Sequence, residues 1–245
     1  MIPKKVHYIW FGNKEKPKHI QECIESFKLL GYEVYEWNEQ NYDVNKSTFL
    51  KETYKNKIWG FLSDYVRFDV LYNIGGIYID ADVKVLKKIP DELLDTDILM
   101  GFQFNCLIGT HFIGAKKGSV FIKHFLDRYH NYKAGENLII SNDVFNDFYL
   151  QNIEGFKLNG KNQILNYKGE KISLYNKNYF GCPKLLGKGY AYHLLDNSWK
   201  KGKKNAKLKY IVKNIIGDKI YYNLVARKNI KISPYRERYL LDRNK

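Results

Sequence analysis

The chain has 245 residues, a net charge of +15 and three cysteines. Its length suits one large α/β domain, with or without an appendage, and is ample for a sizeable core. It contains no run of eighteen apolar residues and no apolar stretch before the first strand-like sequence, so neither a transmembrane helix nor a signal peptide is expected. The cysteines are widely spaced and form neither a disulfide framework nor a metal-ligand pair, which favours a reducing cytoplasm and buried thiols.

The amino-terminal part of the chain predicts an alternation of strands and helices. Trp10 and Asn38 lie at the carboxyl ends of the first two predicted strands. In open α/β sheets, ligands bind at these ends. Strand patterns cover residues 5–11 and 32–37, and helical patterns cover residues 17–30 and 48–54.

The next stretch predicts a helix that ends at a glycine pair. Asp64 and Arg67 are three residues apart and therefore share a face, which we interpret as the polar side of this helix. Gly75 and Gly76 are expected to end it, because glycine tolerates the left-handed cap conformation. The buried stripe at three- and four-residue steps consists of Phe61, Leu62, Tyr65, Phe68, Leu71 and Tyr72.

A strand rich in Ile, Val and Tyr is predicted over residues 77–85. Side chains two apart in a strand point the same way, so Asp80 and Asp82 are expected to project side by side. Adjacent carboxylates need a cation or hydrogen-bond donors to stay ionised, and Mg²⁺ and Mn²⁺ prefer oxygen ligands. The alternative interpretation is a strand that leaves the core and keeps both aspartates hydrated.

The positive charge is concentrated near the carboxyl end. Residues 200–245 hold fifteen Lys or Arg and three Asp or Glu, a balance of +12, which leaves +3 for residues 1–199. Between the aspartate pair and residue 200, the patterns predict further strands and helices. Strands are predicted over 98–104 and 107–114, helices over 120–132 and 138–149, and short strands with turns over 153–174.

A basic amphipathic helix is predicted within residues 200–245. One interpretation packs this helix on the main domain with a solvated lysine face. The other docks it on an anionic membrane, where each nearby Lys or Arg adds about 1 kcal/mol. The sequence thus predicts a domain over 1–199 and a basic helical appendage over 200–245. The apolar stripe consists of Leu208, Ile211, Val212, Ile215 and Ile216.

Three motifs in order resemble one family, the DXD glycosyltransferases of family 32. This family includes bacterial capsular-polysaccharide transferases and yeast mannosyltransferases, and it is similar to the glucosylating domain of large clostridial toxins. The resemblance spans residues 2–199. Its motifs are the opening I-P-K-K-V-H-Y-I-W of residues 2–10, then Ser63-Asp64-x-x-Arg67 with Gly75-Gly76-x-Tyr78-x-Asp80-x-Asp82, and finally the closing H-x(n)-S-W element of residues 193–199.

The resemblance implies an α/β fold of the GT-A type, a single domain whose Rossmann-like nucleotide-binding half has a mixed sheet. It also implies a nucleotide-sugar donor and a divalent metal, Mn²⁺ or Mg²⁺. Asp82 would be a direct metal ligand, and Asp80 would bind the ribose, a metal-bound water or the metal itself. His193 and Ser198 would complete the coordination, and a histidine ligand favours Mn²⁺.

The resemblance also assigns roles in donor binding. Asp64 and Arg67 would bind hydroxyl groups of the donor sugar or the ribose. Trp199 would donate its indole N–H to a phosphate oxygen or to the glycosidic oxygen. Trp10 would stack on the base, or it is an ordinary core tryptophan. Asn38 would contact the uracil or the ribose, or it is a turn asparagine. The remaining expected contacts to the nucleotide sugar are Ser63, Tyr78 and Ser198.

The resulting functional prediction is a retaining hexosyltransferase of surface polysaccharide synthesis. UDP-galactose or UDP-glucose is the favoured donor, and a lipid-linked glycan is the favoured acceptor, with an acceptor protein, as for the toxins, as the alternative. Related sequences often carry a Gly-Pro pair where this chain reads Ser141-Asn142-Asp143, which leaves the acceptor open. The expected location is the cytoplasm, with the basic segment on the inner face of the plasma membrane.

Two other classes are weaker alternatives. A phosphatase of the haloacid dehalogenase type also uses D-x-D after an apolar strand, but that pattern wants Thr or Val where this chain has Lys84. A nucleic-acid-binding protein could use the basic carboxyl-terminal residues, where tyrosines alternate with lysines and arginines. Such a protein would not need the three ordered motifs, so we expect no nucleic-acid partner.

Overall fold

The computed structural model describes residues 1–130, 132, 141–183, 189–196, 212–213 and 215–245. The strands in these ranges are β1 (Lys5–Ile9), β2 (Glu33–Trp37), β3 (Gly76–Ile79), β4 (Val83–Val85), β5 (Ile98–Phe104), β6 (Leu107–Ala115), β7 (Gln163–Tyr167), β8 (Glu170–Tyr175) and β9 (Ala191–His193). The helices are α1 (Lys18–Lys28), α2 (Thr48–Lys55), α3 (Trp59–Ile74), α4 (Asp91–Leu94), α5 (Val120–His130), α6 (Ser141–Asn152), α7 (Lys177–Phe180), α8 (Asp218–Ile232) and α9 (Arg236–Asp242).

Seven strands form one mixed sheet in the order β2-β1-β3-β6-β5-β8-β7. Strand β1 pairs in parallel with β2 and β3, whereas β6 is antiparallel to both β3 and β5. The parallel half brings the carboxyl ends of β1, β2 and β3 to one edge of the sheet, where ligands bind in open α/β folds. Strands β4 and β9 form a separate antiparallel pair. The predicted α/β class with a mixed sheet is confirmed.

Side chains of the central strands alternate between two hydrophobic layers, one on each face of the sheet. On β5, Ile98 and Met100 belong to the layer covered by α2, α3, α5 and α6. Leu99 belongs to the opposite layer, which α1 covers. Because both faces are buried, these strands are apolar on both sides and not only at every second residue.

Helix α3 is buried on nearly every side and has no polar face. Asp64 and Arg67 are only 6% and 5% exposed. The prediction of a polar side is wrong because α3 contacts α2, α5 and the sheet, so its charged side chains have to pair inside the protein. The helix ends before Gly75, whose φ is +74°, which confirms the predicted glycine stop. At Gly76 a Cβ atom would lie 2.6 Å from the carbonyl oxygen of Lys5, so this strand can start only with glycine.

The strand predicted over residues 77–85 is interrupted by a turn. Strand β3 ends at Ile79, and the backbone N–H of Val83 then donates to the carbonyl oxygen of Asp80 at 2.9 Å. Asp80 and Asp82 therefore do not project from one continuous strand, and the period-two argument for their proximity is wrong. The turn arises because β3 pairs with β6, whereas β4 leaves the main sheet to pair with β9.

The other predicted elements are found with shifted bounds. The helix predicted over 138–149 is described as Ser141–Asn152, and residues 138–140 lie outside the described ranges. The short helices α4 and α7 were not predicted. The three cysteines are free and buried, as expected for core thiols. Within the described parts of the chain, no helix has the length and apolar character needed to cross a membrane.

The described carboxyl-terminal residues pack against the domain. Tyr222 and Ala226 of α8 are buried in a small cluster with Phe104 and Cys182. Tyr235 and Tyr239 of the following segment pack against the main core. The sequence predicted a helical appendage in this region, but not the bounds of α8 and α9 or these particular contacts. The boundary between a domain over 1–199 and an appendage over 200–245 stays a prediction.

The predicted amphipathic stripe from Leu208 to Ile216 falls mainly where the structure gives no description. Leu208 and Ile211 lie outside the described residues. Of the stripe's other members, Ile215 is 77% exposed. Membrane association of this segment therefore also stays a prediction.

Asp242 attaches the end of the chain to the domain. Its carboxylate accepts hydrogen bonds from the backbone N–H of Leu158 at 3.0 Å and from Nε of Arg238 at 2.7 Å. Burial alone would raise the pKa of Asp242, but these two bonds outweigh burial and hold the pKa below its ordinary value. The charged carboxylate is therefore the form that stabilises the fold.

We expect Asp242→Ala to lower the free energy of unfolding by about 1–3 kcal/mol, because the buried N–H of Leu158 loses its partner. In the wild type this contribution is present above about pH 4 and is lost as the pH falls through the lower folded-state pKa. Urea denaturation at neutral and acidic pH measures both effects. Glu237→Ala, an exposed residue of the same helix, is the control. Unchanged stability of Asp242→Ala at neutral pH would contradict the prediction.

Candidate active site

A cavity of about 340 Å³ opens where β1 and β3 end. Helix α3, the turn after β3 and strand β9 contribute to its wall, together with parts of β5, β6 and α6. Side chains from all three sequence motifs therefore meet in one place, although they are distant along the chain. The predicted site residues on this wall are Trp10, Ser63, Asp64, Arg67, Tyr78, Asp80, Asp82 and His193.

Arg67 occupies the centre of this wall. Its Nη2 lies 2.9 Å from Oδ1 of Asp64 and 3.7 Å from Oδ1 of Asp80. Its Nη1 donates to the carbonyl oxygen of Thr110 at 2.8 Å, and the guanidinium lies 4.6 Å from the centre of the Tyr78 ring. Burial alone lowers the pKa of Arg67, but Tyr78 and the two carboxylates outweigh it and raise the pKa above its ordinary value. The side chain is thus a permanent buried cation.

Asp80 is held by both its side chain and its backbone. The Tyr78 hydroxyl donates to Oδ1 of Asp80 at 2.6 Å. The backbone N–H of Asp80 donates to the carbonyl oxygen of His111 on β6 at 2.9 Å. Burial is the main cause that raises the pKa of Tyr78 well above its usual value, so this hydroxyl keeps the proton it donates. One oxygen of Asp80 is therefore fixed, and Oδ2 is directed toward His193 at 3.9 Å.

The Asp82 carboxylate contacts both β9 and the residues that follow it. Its Oδ1 lies 3.0 Å from Nε2 of His193, and its Oδ2 accepts the backbone N–H of Asp196 at 2.8 Å. Burial alone would raise the pKa of Asp82, but His193 and the N–H of Asp196 outweigh it and hold the pKa well below its usual range. Asp82 is therefore an anion whose two oxygens have fixed directions.

Asp80, Asp82 and His193 together fit a divalent cation. Each offers one ligand atom, and these three atoms all lie within 4.8 Å of one another. Two carboxylate oxygens and one imidazole nitrogen suit Mn²⁺, which accepts both donor types. The turn at residues 80–82, and not a continuous strand, brings the two aspartates to this common point. Ser198 and Trp199, the other predicted contributors, lie outside the described residues.

Trp10 and Asn38, which follow β1 and β2, differ in their position relative to the cavity. Trp10 lines the cavity, and its Nε1 donates to the carbonyl oxygen of Lys14 at 2.8 Å. Asn38 is not among the residues described along that cavity. Its Oδ1 accepts the backbone N–H of Gln40 at 2.9 Å, and its Nδ2 donates to Glu36. These contacts are those of a turn asparagine, the alternative that the sequence left open.

Gln103, Thr110 and His111 of the wall were missed from the sequence, whereas Asn142 lies in the stretch that the sequence connected only with the acceptor. Asn142 accepts from the Thr110 hydroxyl at 2.6 Å and donates to Oε1 of Gln103 at 2.8 Å. The neutral imidazole of His111 stacks on His193, with 4.7 Å between ring centres, and burial lowers the pKa of His111 well below its usual value. A signal did exist, because Thr110 and His111 interrupt an otherwise apolar strand. Their place beside the aspartates depends on pairing of β3 with β6, which no local pattern reveals.

The fold and this cluster place a DXD motif at a cavity of an α/β domain. Residues 14–100 match the family model of the glycosyltransferase sugar-binding region containing the DXD motif. The chain therefore carries this region, and the resemblance drawn from its motifs is confirmed. With its seven-stranded mixed sheet of parallel and antiparallel pairs, the predicted α/β fold of the GT-A type is confirmed as well.

Other proteins resemble parts of the chain. Subversion of eukaryotic traffic protein A of Legionella pneumophila subsp. pneumophila is 27% identical over 120 residues, which cover 38% of this chain and 19% of that protein. Among solved structures, the PaToxG glycosyltransferase is 20% identical with a TM-score of 0.47, covering 61% of this chain and 69% of that one. A glycosyltransferase involved in glycosylation of the major capsid of PBCV-1 is 11% identical with a TM-score of 0.41, covering 78% and 93%.

We expect Arg67→Ala to lower the free energy of unfolding by about 3–5 kcal/mol, because it leaves the buried Asp64 carboxylate without its cation. Adding Asp64→Ala to Arg67→Ala is expected to restore part of that loss, since the buried charge that Arg67 neutralised is then removed. Urea denaturation of both single variants and the double variant measures the coupling. Additive losses in the double variant would show that the two side chains do not form an energetic pair.

Proposed function

We propose that this protein is a metal-dependent retaining glycosyltransferase that transfers a hexose from a UDP-sugar to a glycan acceptor. The observation that carries the proposal is the convergence of Asp80, Asp82 and His193 next to the Asp64–Arg67 pair in one cavity. The match of residues 14–100 to the DXD sugar-binding region supports the same conclusion.

The chemistry follows from the charges that develop during glycosyl transfer. When the anomeric C–O bond breaks, negative charge grows on the leaving diphosphate and positive charge grows on the sugar ring. A divalent metal held by Asp80, Asp82 and His193 would neutralise the diphosphate. Arg67 contributes a second fixed positive charge close to Asp80. Asp64 and Arg67 would orient hydroxyl groups of the donor.

Retention of configuration is the stereochemical outcome that the family resemblance implies. The carboxylates described along the cavity are Asp64, Asp80 and Asp82. The first pairs with Arg67, and the other two form the cation cluster, so none of the three is placed as a dedicated nucleophile. We therefore favour attack by the acceptor hydroxyl on the same face of the sugar that the diphosphate leaves. UDP-galactose and UDP-glucose are the favoured donors.

A protein acceptor is the second candidate. It follows from the similarity of the family to the glucosylating domain of the clostridial toxins, and this chain spans only 19% of the length of the Legionella protein that it matches. A panel of donors, UDP-galactose, UDP-glucose, UDP-N-acetylhexosamines and GDP-mannose, scored first for hydrolysis without acceptor, would identify the sugar. Transfer of that sugar to lipid-linked glycans or to cytosolic protein then separates the two candidates.

Asp82→Asn is expected to reduce donor hydrolysis by about 100-fold or more, because a ligand charge is lost without a change in volume. Calorimetry should show UDP binding that requires Mn²⁺ in the wild type and is much weaker in the variant at the same Mn²⁺ concentration. Asp127→Asn, an acidic residue of α5 at the surface, is the matched control. Equal UDP affinity of the wild type with Mn²⁺ and with EDTA would argue against the metal role.

We also propose that the acceptor is lipid-linked and that the basic carboxyl-terminal segment holds the enzyme at the inner membrane surface. Residues 218–245 carry eight Lys or Arg and three Asp or Glu. On α8, Ile220 and Leu224 are about half exposed, at 51% and 50%. They are one turn apart and lie next to Arg227 on the outward side. Apolar side chains flanked by basic ones suit an anionic lipid surface better than a nucleic acid.

We expect the protein to sediment with anionic liposomes but not with neutral ones. The binding should weaken with salt, because the Debye length falls from about 10 Å at 0.1 M to about 3 Å at 1 M. Ile220→Ser combined with Leu224→Ser should reduce binding without lowering the melting temperature. Leu29→Ser, which is 78% exposed on α1's carboxyl end, is the control. Salt-insensitive binding, or none to either lipid, would refute membrane docking.

A further inference from the structure

The backbone of residues 194–196, which follow β9, forms two hydrogen bonds with Asp82. The N–H of Leu194 donates to the carbonyl oxygen of Asp82 at 2.9 Å, and the N–H of Asp196 donates to its Oδ2 at 2.8 Å. Between these two contacts, Leu195 has a φ of +55°. A leucine in the left-handed region is strained by about 1 kcal/mol or more and persists only where its surroundings impose it. Something must therefore hold residues 194–196 against Asp82.

Helix α8 supplies that support through one side chain. Tyr222 is 0% exposed, and its hydroxyl donates to the carbonyl oxygen of Leu194 at 2.7 Å. The ammonium of Lys213 donates to the same hydroxyl oxygen at 3.0 Å. An ammonium can only donate, so the Tyr222 proton remains directed at Leu194. Burial is the largest cause that raises the pKa of Tyr222 above its ordinary value, which keeps that proton in place.

The ring of Tyr222 is fixed as firmly as its hydroxyl. It packs against Tyr192 of β9, with 5.9 Å between ring centres, and against Phe104 and Cys182. Strand β9 itself carries His193, one of the three residues of the cation cluster. One buried side chain of α8 thus contacts the strand before the strained residue and hydrogen-bonds the backbone next to it.

We propose that Tyr222 is a positioning residue that holds residues 194–196 in the strained conformation required to orient Asp82. The proposal rests on the metal site of the proposed function. Without the bond to Leu194, Leu195 can relax, the N–H of Asp196 leaves Oδ2, and Asp82 becomes free to rotate away from the metal position. Helix α8 then belongs to the catalytic unit, although it follows the last recognised motif in the chain.

Tyr222→Phe is the decisive variant, because it removes the hydroxyl and keeps the buried ring. Mn²⁺ affinity, titrated by calorimetry with UDP present, should weaken about tenfold, the typical effect of losing one hydrogen bond. The kcat at saturating Mn²⁺ should change less than about twofold, since metal binding restores the site. Tyr221→Phe removes the same atom from the neighbouring residue, which lies beside the Tyr222 ring, and should leave Mn²⁺ affinity unchanged.

Hydrogen exchange provides a readout that does not depend on activity. In metal-free protein, the amides of Leu194 and Asp196 should exchange faster in Tyr222→Phe than in the wild type, while those of β1 and β3 stay equally protected. Wild-type Mn²⁺ affinity and unchanged exchange in Tyr222→Phe would overturn the positioning role. Equal acceleration across the whole domain would also overturn it, because it would reveal general destabilisation. Failure of the wild type itself to bind Mn²⁺ with UDP would instead refute the proposed function.

Discussion

The need to neutralise one buried cation organises the centre of this protein. Arg67 is 5% exposed, and a buried charge is tolerated only when it is paired and hydrogen-bonded. Its partners come from three separate elements: Asp64 on the same helix, Asp80 in the turn after β3, and the carbonyl of Thr110 on β6. The guanidinium therefore fixes the distance between helix, turn and strand. The same contacts place the Asp80 carboxylate of the DXD pair at the cavity wall. Arg67 thus stabilises the packing of three elements and also positions one carboxylate of the candidate site.

Local patterns could predict the strands of the main sheet and the longer helices before residue 153, but only part of the site. The helix that carries Asp64 and Arg67, its glycine stop and the first strands were predicted because apolar spacing and glycine conformation act within a few residues. The path through Asp80 and Asp82 was predicted wrongly, because the chain leaves β3 to pair with β9 about 110 residues later. His111 was missed for the same reason, since only pairing across the sheet brings it to His193. Resemblance supplied the expected metal-ligand role of His193, which composition and spacing alone could not assign.

The cation cluster depends on contacts between residues that are distant along the chain. Val83 pairs with His193, and Asp82 accepts the N–H of Asp196. Such contacts carry a large loop-closure cost and form only when the rest of the domain is in place. A metal and nucleotide that bind only this assembled arrangement would stabilise it by mass action. Donor binding and the conformation of residues 194–196 are therefore expected to be linked thermodynamically.

Helix α8 can serve the active site and an external surface at the same time because of helical geometry. Residues two apart differ by about 200° around a helix axis, so Tyr222 points inward while Ile220 and Leu224 point outward. The inner side chain reaches Leu194, and the outer ones are free to meet a lipid surface. If both proposals hold, the membrane contacts the outer face of the same helix whose inner face orients Asp82. Catalytic competence and membrane position would then be coupled through one rigid element, without any need for a hinge between the domain and its basic segment.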